Sequence, residues 1–308
     1  MAQAKSTIAV FGGTGDLGQQ IVAALLQPEI RQAFAGIVVV SRSATKLQRW
    51  QRYGVLLRQC TPQNLVAILA GVDIVIDAIA PAGADFSRRL IAAMAQSKVK
   101  VYFPPEFDVD HNLHDFRFAE WDWKKSNVAL AREVLKQTQV CQIFSSLILE
   151  KSFGPWLGFC TRRRTYACVG SKDVASSYTS LADLARSVVE VALLKPARIP
   201  AQVHLGGCTK SMAEVSAIMS RESGESIRVV ELPLSMYKAS VLAAATSTRA
   251  EHLRFVMGEG KANHGRHGLW NSNELVNPDQ TRWKWKAVEH LAKQSSGRPF
   301  ASVDWPAG

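Results

Sequence analysis

The chain has 308 residues, 47% of them hydrophobic and 20% charged, which suits one large α/β unit or a nucleotide-binding domain with a smaller partner. No apolar run approaches the roughly 18–20 residues of a membrane span, and five scattered cysteines without a CxxC pair point to reduced thiols rather than disulfides or a zinc site. The formal charge of +11 is dispersed, with Arg162-Arg163-Arg164 the densest run, so it excludes a focused nucleic-acid face and suits a ligand bearing several phosphates.

Ile8–Phe11 is a short β-rich run, followed by the turn Gly12-Gly13-Thr14-Gly15-Asp16-Leu17-Gly18 and an apolar-periodic helix to Leu26. Gly36–Val40 reads as a second strand, Leu47–Tyr53 as a helix, Val55–Leu57 as a third strand and Leu65–Leu69 as a short helix. Asp73–Ile79 holds the β-branched run Ile74-Val75-Ile76, as a strand covered on both faces should. Helix Asp85–Ser97, strand Val99–Phe103, a long connection Pro104–Glu120, helix Asp122–Thr138 and strand Cys141–Leu147 continue the alternation. This rhythm predicts an α/β fold with a Rossmann-type, doubly wound parallel sheet.

Beyond Glu150 the rhythm breaks. Ser152–Arg164 is rich in Gly, Trp, Phe and Arg, and Tyr178–Asp183 opens a helix to Leu194 with Ser180 as N-cap. Short helices Ser211–Glu222 and Ser235–Thr246 and a Gly- and His-rich loop Gly258–Gly268 follow. Residues 1–150 are therefore expected to form the nucleotide-binding domain, with 175–200 packing back on it. Residues 151–308 are expected to form mainly a smaller, less regular substrate-binding region.

In Gly12-x-x-Gly15-x-x-Gly18, glycine allows the backbone to approach a pyrophosphate closely. The amides around Thr14, Gly15, Asp16 and Leu17 then meet the phosphates at a helix start, where the dipole favours negative charge. The second strand ends in Ser41-Arg42-Ser43, with Lys46 one helical turn on. A carboxylate there would accept from the ribose hydroxyls of NAD; Arg42 instead grips a 2′-phosphate while the hydroxyls donate, so NADPH is the expected cofactor.

These blocks resemble the isoflavone reductase-like, NmrA-like branch of atypical short-chain dehydrogenases, which includes phenylcoumaran benzylic ether and pinoresinol reductases. The likeness covers roughly the first 200 residues. It rests on the glycine turn, the basic residue after strand two, Val72–Ala78, Val99–Asp110 and Tyr178–Asp183. Val99–Asp110 is similar to the family signature VKRFLPSEFGVD, with Pro105 in place of Ser and Asp108 in place of Gly. Its continuation through His111–Phe116 to Trp121-Asp122-Trp123-Lys124-Lys125 is most similar to fungal members associated with secondary metabolism. By this resemblance Ala78, Ile79, Ala80, Pro104, Glu106, Phe107 and Lys124 also face the cofactor.

None of the five tyrosines has a lysine four residues on, so the Tyr-x-x-x-Lys pair of ordinary short-chain dehydrogenases is absent. The resembled reductases use a lysine at the start of the helix after the signature. Lys124 and Lys125 both lie there, either of them able to act as general acid or base. His111 and His114, beside Asp110 and Asp115, are further proton carriers, without recognised metal-ligand spacing. Phe107, Phe153, Trp156 and Leu157 stand where the resembled enzymes wall a pocket for a flat, hydrophobic substrate.

The implied activity is NADPH-dependent reduction of an aromatic or polycyclic small molecule, an enone, imine or quinone-methide-like species of specialised metabolism. Nucleic acid and membrane are not expected as partners, and the expected compartment is the cytoplasm. Two other outcomes are compatible with the same motifs: a redox-neutral cyclisation in an NADP(H)-bound pocket, and a regulator that senses NADP(H) without catalysis.

Overall fold

The structure, a computed structural model, describes residues 5–79, 84–265 and 267–303. Two compact units divide the chain. The first holds the chain up to Phe107, Arg117–Ile143 and Leu184–Val203. Its elements are β1 (Ser6–Phe11), α1 (Asp16–Leu25), α2 (Pro28–Arg31), β2 (Phe34–Ser41), α3 (Ala44–Leu47) and β3 (Leu56–Gln59). They continue with α4 (Leu65–Ile68), β4 (Ile74–Asp77), α5 (Ala84–Met94), β5 (Val101–Phe103), α6 (Ala119–Val134) and β6 (Gln139–Val140). The strands form a six-stranded sheet in the order β3-β2-β1-β4-β5-β6, parallel throughout. This is the Rossmann-type fold. The strand order reverses between β1 and β4, so the crevice outside their carboxyl ends is the switch point where such sheets bind ligands.

The central strands are hydrophobic on both faces because both are covered: Ile8–Phe11, Ile37–Val40 and Ile74–Ile76 are all buried. Leu90, Ile91 and Met94 of α5 join Ala131, Leu135, Val75 and Tyr102 in one cluster. Each buried aliphatic side chain there contributes about 1.5–3 kcal/mol relative to exposure.

Several expected boundaries move for identifiable reasons. The helix expected over Leu47–Tyr53 is α3, capped by the Ser43 hydroxyl, continued as a 3₁₀ turn that Gly54 ends at φ +65°. Strand β4 stops at Asp77, whose carboxylate takes the Ile79 amide and closes a local turn. Helix α6 starts at Ala119, three residues before the expected Asp122, because the Phe118 carbonyl already accepts from the Trp121 and Asp122 amides. It ends at Val134, since Leu135 leaves helical geometry (φ −95°, ψ 60°).

The expected strand Cys141–Leu147 is divided. β6 ends at Val140, while β7 (Gln142–Phe144) pairs with β12 (Gln202–His204) and β8 (Leu147–Ile148) pairs with β11 (Ala175–Thr179). Ser146 adopts φ +55°, which breaks the run between β7 and β8. Tyr178 and Thr179 are likewise strand; α7 (Leu181–Ala192) begins after them, with the Ser180 hydroxyl accepting from Asp183 N as expected of its cap.

The second unit holds Asp108–Phe116, Phe144–Asp183 and His204 onward. It is more regular than expected. Besides β8 and β11 it contains β9 (Phe159–Cys160), β10 (Thr165–Val169), β13 (Cys208–Ser211), α8 (Met212–Ser223), β14 (Arg228–Leu232), α9 (Leu234–Ala243), α10 (Arg249–Gly258), α11 (Asn273–Val276) and α12 (Val288–Gln294). Its strands form two three-stranded sheets, β14-β10-β9 and β13-β11-β8.

In this unit His264 is fully buried, edge-on to His204 at 5.1 Å. Burial first, then the charge of His204, pushes its pKa down to about 4. A base depressed in the folded state withholds a proton that the unfolded chain binds, so stability present above pH 6.5 is lost as pH falls towards 4. The loss is on the order of 3 kcal/mol. Thermal unfolding across that window is expected to steepen less with acid in His264→Phe than in the natural protein; parallel profiles would show that His264 does not titrate with folding.

Candidate active site

The glycine turn is built by close backbone packing. Gly12 N and Gly13 N both donate to Val40 O, at 3.1 and 3.2 Å, tying the turn to the end of β2. Gly12 has φ +76°, and a Cβ there would lie 2.7 Å from Ala78 O, beyond β4. A Cβ on Gly18 would stand 2.1 Å from Gly12 O, so the third glycine lets α1 sit on the turn. Gly15 differs: its Cβ would meet nothing nearer than Gly12 O at 3.3 Å. The first i→i−4 bond of the helix runs from Gln19 N to Gly15 O. The amides of its first turn, from Asp16 and Leu17 on, thus lie outside the intrahelical ladder and form an anion-accepting end.

The end of β2 gathers hydroxyls and cations. Ser41 is buried, its hydroxyl 3.0 Å from that of Thr14 and accepting from Ser43 N at 3.2 Å. Ser43 caps α3 by accepting from Lys46 N, so its hydroxyl serves the helix as well. Arg42 and Lys46 are exposed, and Gln59 fixes the Arg42 carbonyl at 3.0 Å. Two cations and two hydroxyls, with no carboxylate among them, fit a 2′-phosphate. Ala78 and Ile79, expected at the cofactor, adjoin Gly12; Ala80 lies outside the described residues.

Lys124 and Lys125 part company. Lys124 is 5% exposed and its Nζ donates to Glu106 O at 3.0 Å, whereas Lys125 is half-buried. Glu106 is itself buried: its amide donates to Pro104 O, and its Oε1 accepts from Gln142 Nε2 at 3.4 Å. Gln142 Oε1 in turn accepts from Arg132 of α6 at 2.9 Å. Phe107, half-buried, takes φ +30°, a left-handed conformation rare for an aromatic residue. The signature segment is thereby held from two sides, by α6 and by Gln142.

One buried acid escaped notice in the sequence. Asp77 ends β4 with no exposure; its Oδ1 accepts from Ile79 N at 3.2 Å and its Oδ2 from Ser87 Oγ at 3.1 Å, and Tyr102 also donates to it. Burial pushes its carboxyl up to about 7, while those hydrogen bonds and the charge of Lys124 pull the other way. The available signal was a lone carboxylate closing an otherwise aliphatic strand.

The other candidates fall in the second unit. His111 is fully buried edge-on to Phe144, and His114 stacks on Phe116 at 4.8 Å. Phe153 is fully buried between Phe159 and Tyr178, and Leu157 is also buried. Trp156 donates to Lys151 O and meets Phe300 edge-on. The structure thus gathers Phe153 into a hydrophobic core with Phe159 and Tyr178. Among the described residues no group of three His, Cys, Asp or Glu side chains could hold a metal, and no helix is long and apolar enough to cross a membrane.

Solved structures share this architecture. AtPrR2, in a structure with NADP+ and (+)pinoresinol, superposes with a TM-score of 0.76 at 17% identity, over 94% of this chain and 99% of that one. Leucoanthocyanidin reductase from Vitis vinifera, in a binary complex with NADPH, gives 0.74 at 15% identity over the same shares. An isoflavone reductase gives 0.74 at 18%, again over 94% and 99%. At such identities the likeness is one of fold. No curated protein matches the sequence. The sequence profile of the NmrA-like family matches residues 4–289, nearly the whole chain, and the protein belongs to that family.

Proposed function

We propose that the protein is an NADPH-dependent reductase of an aromatic or polycyclic small molecule. The observation that carries this reading is the shared position of three features at the carboxyl edge of one parallel sheet. They are the glycine turn, the Ser41-Arg42-Ser43 end of β2 and the buried Lys124. Bound NADPH would supply a hydride from its nicotinamide C4.

The chain's own residues do the rest. The first-turn amides of α1 bind the pyrophosphate, and Arg42, Ser41, Ser43 and Lys46 hold the 2′-phosphate. Lys124, an ammonium with three donors, is anchored through one of them to Glu106 O and handles the proton that accompanies hydride transfer. The (+)pinoresinol of the similar AtPrR2 structure supports an aromatic substrate.

Following NADPH absorbance while a panel of enones, imines and quinone methides is turned over tests the reading. Loss of NADPH in step with product is expected. Product without NADPH loss would mean a redox-neutral catalyst, and tight NADPH binding without turnover would favour a sensor. Arg42→Ala is expected to weaken NADPH about tenfold, as an exposed charge-assisted contact should, and to leave NADH nearly unchanged; paired dissociation constants measure it.

A further inference from the structure

We propose that Asp77 is a positioning residue of the cofactor turn that takes up a proton when NADPH binds. The inference rests on the reading of NADPH as the ligand of the glycine turn. Asp77 and that turn are mechanically continuous. The Asp77 carboxylate holds Ile79 N, and the same two-residue step sets Ala78 O where a Cβ on Gly12 would be only 2.7 Å away. A displacement of this strand end therefore displaces the turn.

The electrostatics follow from the same geometry. Asp77 is fully buried, so no bulk water screens it from negative charge brought to the adjoining turn, and a like charge favours the protonated carboxyl. Burial has already brought it to about 7, so a modest further rise changes its protonation in the neutral range. Among the described residues the groups facing it are few. From β5 comes the Tyr102 phenol, which burial raises far above its ordinary value, so it remains a donor; Glu106 adds to that rise. From α6 comes the Lys124 ammonium, and at the end of β3 stands the Cys60 thiol, itself raised by burial and facing Arg42. The paired residue on β1 is Phe11, and α5 contributes the Ser87 hydroxyl. The Tyr102 and Ser87 hydroxyls and the Ile79 amide favour the ionised form before the cofactor arrives.

The test is calorimetric titration of the full chain with NADPH at about pH 8, in buffers of different ionisation heat. Uptake of about half a proton is expected where the cofactor's charge raises the carboxyl by one pH unit, with affinity falling as pH rises above 7, by at most tenfold per pH unit. Asp77→Asn, close to isosteric, should abolish the uptake and flatten the affinity profile. Tyr102→Phe removes a hydrogen bond that favours the carboxylate, so uptake should shift to higher pH. Equal uptake in the natural protein and Asp77→Asn, or none in the natural protein, overturns the inference while leaving NADPH as the ligand. No NADPH binding by either protein overturns both.

Discussion

Gly18→Ala is expected to damage both stability and cofactor binding more than any other single methyl in the turn. The added Cβ would stand 2.1 Å from Gly12 O, 2.7 Å from Gly12 C and 2.9 Å from Gly13 Cα, all backbone atoms that no rotamer change can move aside. Relief requires α1 to lift from β1, opening the buried contacts of Ile21, Val22 and Leu25. Overpacking of a well-filled site typically costs about 1–3 kcal/mol, and a clash with backbone belongs at or above the top of that range. NADPH affinity should fall at least a hundredfold, because the amides of the first helical turn would no longer converge.

Gly15→Ala is the informative contrast. Its φ of −83° is ordinary and its nearest neighbour lies 3.3 Å away, so thermal stability should change by less than about 1 kcal/mol. If a pyrophosphate occupies the turn, NADPH affinity should nevertheless drop. Stability retained together with affinity retained would mean that the phosphates lie elsewhere.

Lys124→Ala should reduce turnover by roughly 10²–10⁴, the range for loss of a positioned proton carrier, whereas Lys125→Ala should stay within about threefold of the natural rate. The difference comes from placement. Lys124 projects inward to Glu106 O, while its neighbour is half-buried one position on. Because a buried lysine also packs through its stem, Lys124→Met separates the roles: it restores volume and should restore stability without restoring rate. Equal rates for Lys124→Met and the natural protein would remove the lysine from the mechanism.

The parallel-sheet unit is legible because its sequence repeats one physical rule. Aliphatic β-branched runs such as Ile74–Ile76 have to be covered on both faces, and the spacing of helices between them leaves little but a parallel sheet. The glycines at positions 12, 15 and 18 were legible as a turn, although their unequal packing was not: Gly12 and Gly18 meet backbone, while Gly15 has space. The sequence leaves the choice between Lys124 and Lys125 open because the spacing from the signature to the helix is not gap-free, so motif position alone cannot assign the buried face. The structure resolves it: Lys124 shares the buried face of α6 with Trp121, Asn127, Val128 and Ala131.

The second unit is hard to read from sequence for a local reason. Its strands are short and pair with non-sequential partners, β10 with β14 and β11 with β13, so each carries too few residues to show alternation. Helix α10 did leave a signal. Thr248 and Glu251 form a reciprocal capping box, the spacing that marks a helix start. Asp77 carries no motif in the sequence, where it falls inside the expected strand Asp73–Ile79; its interest lies in the complete burial that only folding reveals.

Calorimetric titration of the purified protein with NADPH and with NADH, under identical buffer and salt, tests the central claim most directly. Saturable binding of NADPH at one site, at least tenfold tighter than NADH and lost in Gly18→Ala, is the predicted result. Equal affinities for the two nucleotides, or NADPH binding that survives Gly18→Ala unchanged, would contradict it.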